Sequence, residues 1–147
     1  MQKFSFFLVL VVALNSCTQT SNQAASDQST SKPLNTDSLK TVLMQADLSF
    51  SDLSSQKGTH EAFMAYVSDA GALLRPYHPP IVGKDSIRSY LYAKPDSAYT
   101  LTWKPLYADI SASGDLGYTY GTYRLTVKHL KEFEEGTYIT IWKQDAT

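Results

Sequence analysis

The chain has 147 residues, 43% apolar and 18% charged. This is globular composition at the length of one domain, neither disordered nor fibrous. The formal charge is −1, so no basic excess exists to neutralise phosphates, which argues against a nucleic-acid partner. One cysteine excludes an intramolecular disulfide and a cysteine-rich metal site.

The first residues read as an address. Lys3 is the only charge before Cys17, and residues 4–14 form an apolar run broken only by Ser5. A helix needs about 20 apolar residues to cross a hydrocarbon core of about 30 Å, so this run is too short to span. It has the length of the apolar region of a secretory signal. It ends in Leu14-Asn15-Ser16-Cys17, which resembles the lipobox of bacterial lipoprotein signals. The resemblance implies that residues 1–16 are a signal peptide, that the Cys17 thiol takes a diacylglyceryl group, and that the amine freed by cleavage is acylated too. The other reading of these residues is an ordinary secretory leader in which the cysteine is incidental. Two or three acyl chains hold a protein on a bilayer far better than one. Thr18 rather than an aspartate follows Cys17; by the sorting rule of such lipoproteins, that implies the outer membrane, facing the periplasm.

A tether follows, over residues 17–36. Of the nineteen residues from Thr18 to Thr36, thirteen are Ser, Thr, Asn or Gln, and Leu34 is the only large aliphatic. Such a segment cannot bury enough apolar area to offset its ordering entropy. Its r.m.s. reach as a coil is about 24 Å.

Residues 37–147 form the domain. Every glycine and every tyrosine lies at or beyond Gly58. Asp37 is a candidate N-cap. Leu39, Val42, Leu43, Ala46, Phe50 and Leu53 then make one apolar helical stripe over 37–53, and residues 54–58 break it. Thr59 can cap a second helix, with Ala62, Phe63, Tyr66 and Val67 as its buried face. Residues 72–75 read as a short strand. The prolines at 76, 79 and 80 keep the next segment out of any central strand, and Ile81-Val82 is extended. Gly83 opens a third helix, with Ile87, Tyr90 and Leu91 at helical spacing, stopped by Lys94-Pro95-Asp96.

From Ala98 the period changes to two. Tyr99, Leu101 and Trp103 alternate with polar residues, and Pro105 predicts a bend or bulge. Further extended runs cover 107–111, 116–128 and 137–143. Ser113-Gly114-Asp115 is a turn, and 131–136 reads as a polar connection. Short turns between neighbouring strands argue an antiparallel meander, and helices followed by strands argue the α+β class.

This order of elements resembles the NTF2-like superfamily, a cone-shaped α+β fold with N-terminal helices packed in a curved antiparallel sheet. Within it the chain resembles the SnoaL-like and DUF4440 branch. The resemblance is carried by Gly58-Thr59-His60-Glu61-Ala62-Phe63, Gly83-Lys84-Asp85-Ser86-Ile87-Arg88, Ser113-Gly114-Asp115-Leu116-Gly117-Tyr118 and Gly136-Thr137-Tyr138-Ile139-Thr140-Ile141-Trp142-Lys143. Relatives carry one more strand after the last of these, whereas this chain stops four residues past Lys143. The resemblance therefore implies either a sheet without its final strand or a sequence that stops early.

Three functions follow as expectations, because this fold hosts unrelated activities. In relatives the concave face lines a ligand cavity. Here Tyr66, Trp103, Tyr118, Tyr120 and Trp142, with Tyr123 and Tyr138, are candidate liners for a small apolar or amphipathic molecule. The alternative is a proton-transfer enzyme of the ketosteroid-isomerase or SnoaL-like kind, which needs a titratable group inside the cone beside a hydroxyl or a second carboxyl. His60, Asp69 and Asp109 are its candidates. The third is an interaction module. Both faces of the strands carry apolar residues, whereas a solvated sheet face should be polar, so a homodimer through that face is expected. No metal-ligand spacing joins the three histidines, and no cofactor motif occurs; neither a metal nor a cofactor is expected.

Overall fold

A computed structural model describes residues 35–130 and 132–144. The leader, Cys17 and the tether as far as residue 34 lie outside the described residues. The elements in chain order are α1 (Thr36–Lys57), α2 (Thr59–Tyr66), β1 (Ala72–Leu73), β2 (Ile81–Val82), α3 (Lys84–Tyr92), β3 (Tyr99–Ile110), β4 (Leu116–Val127) and β5 (Glu132–Lys143).

α1 starts earlier and ends later than its apolar stripe. Asn35, not Asp37, is the cap: its side-chain oxygen accepts a hydrogen bond from the Ser38 N–H at 3.2 Å. The helix runs on through Ser54 to Lys57 and stops at Gly58, whose φ of 96° is open to glycine and costly for other residues. Gly58 is also the N-cap of α2, so Thr59 is its first helical residue rather than its cap. Ala62 of α2 and Ile87 of α3 are fully buried. α3 opens at Gly83 as its sequence suggests.

β3, β4 and β5 form one antiparallel sheet in that order, and β1 pairs with β2 in a separate short hairpin. The register slips between Pro105 and Tyr107. Proline has no N–H to give the ladder, and the bulge placed there joins the two extended runs of the sequence into one bent strand. It also reverses the alternation: Pro105 and Ala108 both point inward, while Leu106 and Tyr107 between them are exposed. β5 begins at Glu132, so residues 132–136 are strand and not a polar connection. The Arg124 guanidinium on β4 donates to Glu135 Oε1 at 2.6 Å, and the Tyr123 hydroxyl donates to Glu134 Oε1 at 2.7 Å. These cross-strand pairs hold a polar stretch in extended form.

α1 lies along the free edge of β3. The Ser51 hydroxyl oxygen accepts the Trp103 N–H at 2.8 Å, and the Ser54 hydroxyl donates to the Leu101 carbonyl at 2.8 Å. Two helical serines thus satisfy edge groups that β4 cannot reach, which leaves that stretch closed to further strand pairing. The helix face turned to the sheet carries Asp47, Phe50, Ser51 and Ser54, all buried. Val42, placed in the stripe by spacing, is 58% exposed.

Gly121 faces Pro105 across the bulge. A Cβ there would run into the Lys104 carbonyl and the Pro105 backbone, neither of which can rotate away. Gly121→Ala is therefore expected to lower the unfolding free energy by about 1–3 kcal/mol, measured by urea denaturation. An unchanged midpoint would mean that the strands do not approach so closely.

Candidate functional site

The concave face of the sheet presents Trp103 from β3, Thr119 and Tyr123 from β4, and Tyr138 and Trp142 from β5. All sit at the inward positions of their strands, and Tyr138, Trp142, Trp103 and Tyr123 are half-buried. Facing them, α1 contributes Asp47, which is fully buried. Its carboxyl group takes two hydrogen bonds, both from aromatic side chains. The Trp103 indole N–H donates to Oδ1 at 2.8 Å, and the Tyr138 hydroxyl donates to Oδ2 at 2.7 Å. One residue on the first helix is thereby tied to the first and last strands of the sheet. Beside this centre the Trp142 indole N–H donates to Thr119 Oγ1 at 2.9 Å.

An aromatic cluster packs against the next turn of α1. Phe50, one turn along α1, stacks on Tyr66 of α2 with ring centroids 4.6 Å apart and meets Trp103 edge-on at 4.6 Å. Phe63 packs edge-on against Phe50 at 5.1 Å. Tyr66 reaches towards Trp142, at 6.1 Å. Edge-to-face pairs of this kind add to the stabilisation from burial alone.

Burial raises the Tyr138 hydroxyl well above the usual tyrosine pKa, and the hydrogen bond to Asp47 and its negative charge add to the rise. The consequence for stability has a definite sign. The folded chain holds this proton to higher pH than the unfolded chain does. The contribution is thus fully present below about pH 10, where free tyrosine titrates, and is lost as pH rises further. The native chain is expected to lose stability above that pH more steeply than Tyr138→Phe, by urea denaturation at a series of alkaline pH values. Parallel slopes would contradict the placing of the Tyr138 hydroxyl in the interior beside Asp47.

The other candidate residues are dispersed. Tyr66, Trp103 and Trp142 belong to the interior group just described. Tyr118 and Tyr120 do not, because they alternate with the inward Gly117, Thr119 and Gly121. They stand on the outer face with Tyr107, whose ring stacks on Tyr120 at 5.3 Å. His60 lies in the first turn of α2, its ring stacked on Tyr92 at 4.4 Å and its backbone N–H donating to Asp96 Oδ2 at 2.8 Å. Asp69 is in the exposed turn after α2, and its carbonyl accepts the Lys84 N–H. Asp109 pairs with Lys40 at 2.9 Å. The Lys40 hydrogen bond holds Asp109 below the usual carboxylate range, helped by the Ile110 N–H. None of these three carboxyl or imidazole groups contacts Asp47. Spacing analysis missed Asp47 because it counted only apolar members of the α1 stripe. An open depression of about 240 Å³ is lined by Thr102, Trp103, Lys104, Thr122, Tyr123, Arg124 and Glu135, and does not include Asp47. Among the described residues no three His, Cys, Asp or Glu side chains converge as metal ligands.

No family model and no curated protein matches the sequence. Solved structures match its shape. An LEH-like epoxide hydrolase from M. tuberculosis superposes with a TM-score of 0.53 at 15% identity, over 72% of this chain and 71% of that one. A ketosteroid isomerase-like protein from Erwinia carotovora atroseptica gives 0.53 at 17% identity, over 71% and 84%. The fold is the NTF2-like α+β cone. A Mycobacterium tuberculosis protein solved in complex with estradiol-17beta-hemisuccinate gives 0.51 at 14% identity, over 73% and 84%. At such identities the likeness is one of fold, and in this cone the interior is built around Asp47.

Proposed function

We propose that the chain is a lipid-anchored cell-envelope protein whose cone binds a small amphipathic molecule at the Asp47 centre. One observation carries the proposal: a buried carboxyl group is held by two aromatic donors that are themselves only half-buried. A buried polar group costs free energy unless it is paired, so an apolar packing role alone would be better served by leucine at this position. Trp103 and Tyr138 bring both ring area and hydrogen-bond donors, the mixture that small-molecule sites use. One neighbour of the same fold was solved with estradiol-17beta-hemisuccinate, an amphipathic molecule. A thermal-shift panel of steroids, amphipathic amines and acids, and polyketide-like aromatics tests the reading. At least one member is expected to raise the melting temperature of the native chain and to lose that effect in Asp47→Asn. No shift from any member would overturn it.

A second reading, proton transfer next to a carbonyl, is favoured by the 2.7 Å contact between Asp47 and the Tyr138 hydroxyl. Asp47 would take the proton, and Tyr138 would donate to the developing oxyanion. Deuterium uptake from D2O at the carbon beside the carbonyl of a bound ketone distinguishes it from binding alone.

The address rests on Leu14-Asn15-Ser16-Cys17, with outer-membrane sorting from Thr18. Cys17→Ser is expected to move the protein from the membrane pellet to the soluble fraction; retention in the pellet would contradict lipidation. A second copy covers the outer sheet face, where Ile139 and Ile141 are 64% and 70% exposed beside Tyr107 and Tyr120. Solution sizing of the delipidated protein checks this, and a strict monomer would contradict it.

A further inference from the structure

Pro76 and Tyr77 are the central residues of the turn that ends the β1–β2 hairpin. The His78 N–H closes this turn on the Arg75 carbonyl at 3.3 Å. Tyr77 has a φ of 58°, alone among the described non-glycine residues in being positive. The second central position of such a turn favours glycine, and a bulky side chain there is strained. Tyr77 is fully exposed, so its ring packs on nothing that would offset the strain. Strain kept where the fold gains nothing points to a role outside the fold.

The tip is held in place from behind. The His78 Nδ1–H donates to the Pro79 carbonyl at 2.6 Å, and the His78 ring meets Tyr90 of α3 edge-on at 5.2 Å. Pro76, Pro79 and Pro80 restrict the backbone around it. In the hairpin Leu73 pairs with Ile81 and Ala72 with Val82. Ile81 is buried, so its pair turns inward, while Val82 is 61% exposed and Leu74 is 72% exposed. Leu74, Tyr77 and Val82 thus make an apolar ridge on one hairpin. Its charge has a single sign: residues 70–84 contain Arg75 and Lys84 but no aspartate or glutamate, in a chain whose net charge is −1. The ion pairs of the described residues are Lys40–Asp109, Lys57–Glu61, His60–Asp96 and Arg124–Glu135, and none uses either cation.

We infer that the β1–β2 hairpin docks the domain on an anionic bilayer, its ridge entering the headgroup layer and Arg75 and Lys84 meeting lipid phosphates. A tyrosine joins an apolar ring to a polar tip, the combination favoured at membrane interfaces. Aliphatic side chains beside cations complete the composition of a surface-binding segment. The inference rests on the cell-envelope reading in one respect: lipidation at Cys17 would keep a bilayer within the tether's reach of about 24 Å. At that distance a weak contact acts as a second point of attachment and needs no high affinity of its own.

The test is vesicle flotation of residues 17–147 carrying Cys17→Ser, a chain with every described element and no lipid of its own. One vesicle is pure phosphatidylcholine; the other mixes it with phosphatidylglycerol in equal parts. The chain is expected to float with the anionic vesicles and not with the neutral ones. Arg75→Gln should lower the bound fraction about fivefold. Tyr77→Gly should lower it at least as far while the melting temperature stays or rises, because glycine accepts the turn without strain. Native-like flotation of Tyr77→Gly, or a lower melting temperature, would overturn the assignment, since the tyrosine would then serve the fold. Flotation abolished by Ile141→Ser but not by Tyr77→Gly would give the membrane contact to the outer sheet face instead. Flotation with neither vesicle would overturn the bilayer as the occupant and leave the tip to a protein partner. A chain that floats here, but whose native form is not lipidated in cells, removes the anchor and keeps the hairpin's role.

Discussion

Asp47→Ala loses about 2–4 kcal/mol of unfolding free energy, because two half-buried donors are left without their acceptor and the void left by a fully buried side chain compounds the loss. Trp103 and Tyr138 both depend on this one side chain. Their tie reaches 56 and 91 residues along the sequence, so the change is expected to loosen the contact of α1 with both strands at once. Asp47→Asn, which can accept from Trp103 and donate to Tyr138, should recover most of the loss. Urea denaturation of the two variants reads the difference. Equal destabilisation by both would mean that the charge, and not the pair of hydrogen bonds, holds the strands; no destabilisation by either would remove Asp47 from the structural account.

Phe50→Ala has the largest effect expected of any single substitution in the interior, about 3–5 kcal/mol, as for other buried aromatic truncations. Phe50 is 6% exposed and packs against Phe63, Tyr66 and Trp103. Its removal leaves three rings facing a void that backbone movement can close only in part. Phe50→Leu should cost less than half as much, since it refills the space without restoring the ring contacts. Thermal and urea unfolding check both. A loss below about 1 kcal/mol for the alanine variant would mean that the cone collapses freely around the gap, contradicting a rigid aromatic interior.

These two residues show how far the sequence could be read. Phe50 was legible: it lies at helical spacing from Leu43 and Ala46, and apolar periodicity reports such residues directly. Asp47 occupies the same stripe, four residues after Leu43 and three before Phe50, with Ser51 and Ser54 continuing the row. A polar residue in an apolar stripe is a signal, but its meaning depends on what stands opposite. Here that is a tryptophan and a tyrosine on strands far along the chain, and no local pattern brings them together. The strand parity did separate Tyr118 and Tyr120 from Thr119 and Gly121. It could not say which set faced the helix, because both faces carry apolar side chains.

Backbone-encoded features were legible for the same kind of reason. Pro105 lacks a donor for the ladder, and the register slips directly after it. Gly83 and Gly114 take positive φ at the start of α3 and in the β3–β4 turn. Two boundaries failed where polarity was taken for irregularity. Ser54 to Lys57 continue α1 because Ser54 bonds to the Leu101 carbonyl. Residues 132–135 continue the sheet because they pair with Val127 to Arg124 on β4, where Glu134 and Glu135 bond to Tyr123 and Arg124. In each case a tertiary contact, and not local propensity, decides the element.

The chain contains two tryptophans, so its proton–nitrogen NMR spectrum has two indole signals. Trp103 bonds to Asp47, and Trp142 bonds to Thr119. Asp47→Asn is expected to move the Trp103 indole signal strongly while the Trp142 signal stays near its place. Indole signals that ignore the substitution would show that Asp47 does not hold Trp103.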